Sequence, residues 1–168
     1  RASRQATELI EALLLLSRAE RRGPTRGETT ELAKLAADVI ESQRPQMRGK
    51  PLSIELVVNT PVSVNAPASV LSVALTNLIG NAIKYTLEGS VRVEVGNDQV
   101  EVIDTGPGIK PEDAERLFQR GVRGEGVGGS GAGLGLAIVR RLCELYGWHV
   151  SMRPREDANG AVARIRFV

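Results

Sequence analysis

Apolar residues in the first stretch of the chain recur at helical spacing. Leu9, Ile10, Leu13, Leu14 and Leu16, with Leu15 widening the stripe, predict a helix whose apolar face is broader than a lone surface helix needs. Such a helix packs on a partner, either another helix of this chain or one from a second subunit. Arg21-Arg22-Gly23-Pro24 breaks it. A second helical pattern runs from about Thr29 to Gln43 through Leu32, Leu35, Ala36, Val39 and Ile40, and Pro45 marks its end. From Leu52 the period changes: SIELVV (53–58) and VSVNA (62–66), separated by a Pro-containing turn, are β-branched and read as strands.

Pro67 to Tyr85 predicts the principal helix, with Leu71, Leu75, Leu78 and Ala82 as its core stripe. VRVEV (91–95) and QVEVID (99–104) form a hairpin around Gly96-Asn97-Asp98. PEDAERLF (111–118) is a short helix with Pro at its first position and acidic residues in its first turn. Residues 119–132 contain six glycines and predict a mobile loop. A helix from about Gly133 to Tyr146 and two strands, WHVSMR (148–153) and AVARIRFV (161–168), complete the pattern. The expected fold is α/β, a two-layer sandwich of a mixed, mostly antiparallel sheet covered on one face by three helices. The expected division is a helical segment over 1–48 and a core domain over 49–168.

Composition narrows the picture mainly by exclusion. At 168 residues the chain can bury a core without disulfides or a structural metal. Lys plus Arg exceeds Asp plus Glu by 22 to 20, the basic residues are scattered, and only 3% of residues are aromatic, so no nucleic-acid partner is indicated. The single cysteine, Cys143, lies in the apolar pattern LAIVRRLCELYG and reads as a small core residue. The longest apolar run, Leu13 to Leu16, is too short to cross a bilayer, and no signal-peptide pattern opens the chain. Because the chain opens inside a helical pattern, it reads as a piece cut from a longer protein.

Three segments carry candidate chemistry. Asn77, Asn81 and Lys84 fall at i, i+4 and i+7 of the principal helix, so two amides and an ammonium share one edge beside the apolar stripe. Amide oxygens suit a hard cation such as Mg²⁺ shared with phosphates, and a lysine suits phosphate oxygens. Taken alone, the same edge is also compatible with an ordinary polar face. Asp104 ends a buried strand, and Gly106-Pro107-Gly108 turns the backbone close to whatever that carboxylate contacts, which could be an exocyclic amine such as that of adenine. Asp-Thr-Gly-Pro-Gly is equally a good generic turn. Gly131, Gly133 and Gly135 lie where a loop enters a helix, allowing backbone amides to approach phosphates. GVGGSG (126–131) matches a dinucleotide fingerprint literally, but it does not follow the first strand of a βαβ unit, and no phosphate-loop G-x-x-x-x-G-K-[ST] occurs. In this order the three segments predict ATP binding.

With these segments the chain resembles, from about Leu52 to its end, the catalytic ATP-binding domain of bacterial two-component sensor histidine kinases, within the superfamily shared by gyrase, mismatch-repair and chaperone ATPases. NLIGNAIKYT (77–86) is similar to the family's asparagine box, DTGPGI (104–109) to its first glycine box, LFQR (117–120) to its phenylalanine box and GAGLGLAIV (131–139) to its second glycine box. The resemblance implies a Bergerat-type fold with ATP and Mg²⁺ as its ligands. By that likeness Asn81 would hold Mg²⁺, Asn77 and Lys84 would reach phosphates, Tyr85 would pack on adenine and Asp104 would accept from the adenine amine. Gly106, Gly108 and Ile109, with Gly131, Gly133, Leu134 and Gly135, would complete the nucleotide site. Arg123 stands where the family has a lid arginine that neutralises the γ-phosphate, although Gly121 and Val122 replace a frequent aromatic pair.

TELIEALLLLSRAE (7–20) resembles the second helix of the family's dimerisation and phosphotransfer hairpin; its first helix, with the phosphoacceptor histidine, has no counterpart here. The only histidine, His149, starts a predicted strand and reads as a partly exposed strand residue. The likeness therefore implies a domain that binds ATP without phosphorylating itself on the family's histidine. It also implies a homodimer in the full-length protein, a response-regulator partner, and a cytoplasmic place beneath a membrane-anchored sensor, with no membrane contact by these residues. In the related ATPases a glutamate four residues before the metal-binding asparagine activates water, whereas this chain has Asn77, whose amide cannot accept that proton. Two other readings stay open from the residues alone: a degenerate, non-catalytic nucleotide-binding dimerisation module, and a serine kinase of the anti-sigma type, which Asn77 disfavours.

Overall fold

Alternation of valines with polar residues builds the centre of the sheet. In the computed structural model, which describes residues 2–108, 130–156 and 158–168, Val91, Val93 and Val95 of β4 (Gly89–Gly96) are buried, as are Val100 and Val102 of β5 (Gln99–Asp104). Asn97 and Asp98 both take positive φ, 55° and 56°, so the hairpin closes with a two-residue turn of the kind that suits the right-handed twist of its strands. Gly96, expected in the turn, is the last residue of β4 and pairs with Gln99.

Three more strands complete a mixed sheet in the order β2-β4-β5-β7-β6. β2 (Leu52–Val58) runs parallel to β4, and β7 (Ala161–Arg166) pairs antiparallel with both β5 and β6 (His149–Pro154). The outer face is polar, with an Arg92–Glu94 ion pair at 2.6 Å and Arg153 3.5 Å from Glu101. The inner face is covered by α2 (Leu32–Gln43), α3 (Ala68–Tyr85) and α4 (Ser130–Tyr146), which gives the expected two-layer α/β sandwich. α3 packs between the other two and buries Leu71, Leu75, Leu78 and Ala82. Lys50 donates from Nζ to the Ile83 carbonyl at 2.8 Å, placing a cation at the carbonyl end of α3.

The structure departs from the pattern in two places. Thr30 and Glu31, expected inside the second helix, form a two-residue strand, β1, paired antiparallel with β3 (Ser63–Val64), and the helix starts at Leu32. The reason is tertiary: Leu32 N–H donates to the Val62 carbonyl at 2.9 Å and Thr30 Oγ1 to the Ala66 carbonyl at 2.8 Å, which outweighs a helical start. Secondly, α4 begins at Ser130 rather than about Gly133, so the last residues of the expected glycine loop belong to its first turn. The expected short helix at 111–118 and the rest of that loop lie outside the described residues. Leu32, Ala36 and Val39 of α2 are buried, and α2 packs on α3.

The opening helix, α1 (Ala2–Arg22), lies against α4 of the same chain. Ala12 and Ala19 are buried there, with Leu9, Leu15 and Leu16 half-buried, while Ile10, Leu13 and Leu14 remain exposed. Arg141 on α4 grips the Glu20 carboxylate with two bonds, Nε to Oε2 at 2.7 Å and Nη2 to Oε1 at 2.8 Å. Beyond α1, Thr25 N–H donates to the Tyr146 hydroxyl at 3.1 Å, and Arg26 stands over the Tyr146 ring. Among the described residues, no helix is long and apolar enough to cross a membrane.

The Arg141 guanidinium hydrogen-bonded to Glu20 holds its carboxyl below the usual carboxylate value. A lowered folded-state value means that the contribution is present at neutral pH and fades as pH falls through that lowered value. Glu20→Gln should therefore reduce hydrogen-exchange protection of α1 at neutral pH, and its difference from wild type should vanish in acid. A difference that persisted or grew on acidification would contradict this.

Candidate functional site

A cavity opens between α3 and the sheet at the end of β5. From α3 it is lined by Leu78, Asn81, Ala82 and Tyr85, and from β5 and the following loop by Val102, Asp104, Pro107 and Gly108. Met152 on β6 and Ala161 and Ala163 on β7 form the rest of its wall. The wall is mostly apolar, suited to the faces of a flat ring, with few polar groups to fix orientation.

Each polar group has a structural cause. Asp104 is the last residue of β5, and its Oδ1 accepts from the Gly106 N–H at 2.9 Å and the Ala161 N–H at 3.2 Å. Two backbone donors fix the orientation of the carboxylate. Asn81 is carried to the cavity by the burial of its neighbours Leu78 and Ala82, and its Oδ1 is buried without a hydrogen-bond partner. A buried amide oxygen left unpaired is costly unless something coordinates it. An oxygen donor of this kind fits a hard cation, and no cluster of His, Cys, Asp or Glu suited to a metal occurs among the described residues. The remaining ligands of such a cation would come from phosphate and water.

The other expected site residues divide. Tyr85 lines the cavity; Lys84 is not among its lining residues and is exposed, with its ammonium 5.5 Å from the Tyr85 ring centroid. Gly106 contributes its N–H to Asp104, and Gly108 lines the wall. Gly131, Gly133, Leu134 and Gly135 fall within the first turns of α4, with Leu134 half-buried against the core. Asn77 is not among the described residues lining the cavity; its Nδ2 donates to the Val73 carbonyl at 2.8 Å. Ile109 and Arg123 lie outside the described residues.

Sequence reasoning missed Gly160. It has φ +135°, and a Cβ on it would overlap the Asp104 carbonyl oxygen. Glycine there lets the β6–β7 turn press on the end of β5 and brings the Ala161 N–H to the Asp104 carboxylate. Asn159-Gly160 is visible turn chemistry, but its approach to Asp104, far back in the chain, has no local signal. Two other candidates are excluded by position. Cys143 is buried, and burial pushes its thiol up to about 12. His149 is exposed at the start of β6, opposite Arg166.

The family described as "Histidine kinase-, DNA gyrase B-, and HSP90-like ATPase" matches residues 68–168. Sensor protein QseC of Escherichia coli K12 is 32% identical over 158 residues, 91% of this chain and 35% of the relative. Sensor protein CutS of Streptomyces coelicolor is 31% identical over 166 residues, 94% of this chain and 39% of the relative. The chain thus spans little more than a third of the length of these relatives. Among solved structures, full-length ShkA in complex with AMPPNP superposes with a TM-score of 0.77 at 29% identity, covering 98% of this chain and 36% of that one. Mycobacterial sensor histidine kinase MprB gives 0.70 at 27% identity, covering 86% of this chain and all, 100%, of that one. The family model and these likenesses show that the chain belongs to the histidine kinase-, DNA gyrase B- and HSP90-like ATPase family, as an ATP-binding catalytic domain of the sensor-kinase type.

Proposed function

We infer that this domain binds Mg·ATP and presents the γ-phosphate to a histidine side chain outside these residues, from which it passes to an aspartate of a response regulator. The observation that carries the reading is the pairing, in one apolar cavity, of the backbone-fixed Asp104 carboxylate with the buried, unpartnered Asn81 Oδ1. The AMPPNP complex of the related ShkA supports it. Asp104 selects a base that presents a donor, as the amino group of adenine does, and the wall from Leu78 to Ala163 excludes water from the ring faces. Asn81 would give one oxygen to Mg²⁺, which when bound neutralises phosphate charge. Lys84, exposed beside Tyr85, adds a mobile positive charge, and Arg123 is proposed to act on the γ-phosphate.

Asn77 supplies no base for water, so an acceptor that needs little activation fits the site better. A neutral imidazole nitrogen is such an acceptor, and the domain's contribution is then positioning and charge stabilisation. α1 is proposed to belong to a dimerisation region of a longer, membrane-anchored protein. Because β1 and α2 pack with α3, the division between that region and the ATP-binding unit is proposed between Arg22 and Thr30.

In a titration with Mg·ADP or a non-hydrolysable ATP analogue, wild type should bind at micromolar levels and Asn81→Ala about tenfold or more weakly. No binding by wild type would end the nucleotide reading. Wild type should also prefer ATP over purine riboside triphosphate, which lacks the 6-amino group, by about tenfold, since that analogue leaves Asp104 unmatched. Gly160→Ala, by displacing the Ala161 N–H, should shrink that preference more than it weakens binding of the analogue; an equal loss for both nucleotides would assign Gly160 to folding alone. In the full-length protein, phosphate transferred from ATP should be acid-labile and alkali-stable. Acid-stable phosphate would place the acceptor on a hydroxyl instead.

A further inference from the structure

The cavity continues the core with its side chains cut short. On the inner face of the sheet, Val100, Ile165 and Val150 form one cross-strand row, and Val102, Ala163 and Met152 form the next row towards the end of β5. The rows differ at their centre. β7 puts the fully buried Ile165 in the first and only a methyl, that of Ala163, in the second, with Ala161 following on the same face. The facing helix changes in step, because the buried stripe of α3 runs Leu71, Leu75, Leu78 and then Ala82. Ala82, Ala161 and Ala163 all line the cavity, whereas Ile165 is not among its lining residues. A branched side chain at 163 would extend the Ile165 row into the space that a ring needs.

We propose that Ala163 is a specificity-determining residue, which sets the size of the base that the cavity admits. The Asp104 carboxylate asks only for a donor amine, and cytosine presents one as adenine does. Asp104 therefore does not by itself separate the two bases. Floor space does, since a two-ring base covers more of the wall around Ala163 than a one-ring base. A larger apolar residue at 163 fills a gap in the core, so it favours the fold while it opposes the ligand. The proposal rests on the nucleotide reading above for its ligand; the shortened row of side chains does not.

The test is a size series, Ala163→Val and Ala163→Ile, with Ala163→Thr as a polar variant of the valine shape. It is read by titration with Mg·ATP and Mg·CTP, followed through amide chemical shifts so that millimolar affinities are measured, and by thermal unfolding of the ligand-free proteins. Ala163→Val should weaken ATP binding about tenfold or more and CTP binding only a few-fold, while its melting temperature holds or rises by a few degrees. Ala163→Thr should lose ATP to a similar degree without the thermal gain. Equal fold-losses for ATP and CTP would overturn the proposal, as would unchanged ATP affinity in Ala163→Ile. So would a melting temperature that falls in parallel with affinity from Ala to Val to Ile, which is what a packing defect alone would give. If wild type binds ATP but no CTP, the opposed trends of ATP affinity and melting temperature decide the matter by themselves. If wild type binds neither nucleotide, the ATP-binding reading falls by that result, while the melting temperature of Ala163→Val still decides whether the floor is a gap in the core.

Discussion

The burial of one stripe of α3 is the constraint on which the rest of the molecule depends. Leu71, Leu75, Leu78 and Ala82 leave water together, and at about 2 kcal/mol or more for each large side chain this fixes the rotation of the helix about its own axis. Once that rotation is set, the neighbouring edge has no freedom: Asn81 must face the cavity, Asn77 must face α4, and Lys84 must stay exposed. Site geometry is here a by-product of core packing. A rotation by one residue, about 100°, would bury the amides and expose leucines, so the packed helix has one usable setting.

The cavity keeps polar groups where an apolar wall would be more stable. Asp104 avoids most of the cost because its carboxylate is held by two backbone N–H groups, those of Gly106 and Ala161. Asn81 is not compensated in this way; its buried oxygen has a partner only when something enters. The two groups therefore differ in kind. Asp104 is an organised acceptor whose geometry exists before any ligand arrives, and the Asn81 oxygen is a local cost that binding can relieve.

Elements whose logic is local were legible in the sequence: α3, the β4–β5 hairpin, α4 and the last two strands all follow from spacing and turn residues. That Asn81, Tyr85 and Asp104 come together around one cavity follows for the same reason, since each is placed by the element that carries it. What was not legible depends on partners distant in the chain. Thr30 and Glu31 lie within a helical pattern, and only pairing with Val64 and Ser63 makes them a strand. Gly160 could be read as a turn glycine, but not as the residue that admits an N–H to Asp104. Asn77 shares its edge with Asn81, yet its Oδ1 meets another helix, and no periodicity within α3 distinguishes a residue that faces a cavity from one that faces a neighbour.

These long-range contacts concentrate on α4. It is braced by α3 at Gly135, by α1 through the Glu20–Arg141 pair, and at its far end by Thr25 and Arg26 on Tyr146. The three braces differ in strength. The Gly135 contact is internal and steric, and steric contacts hold against salt and pH alike. The Glu20–Arg141 pair is exposed, with side chains 40% and 44% accessible, and is screened by ions. α4 thus meets α3 inside the core and meets α1 in part through an exposed ion pair that salt weakens. Loosening α1 therefore uncovers α4 while the apolar packing of α4 on α3, which α1 does not supply, is left in place.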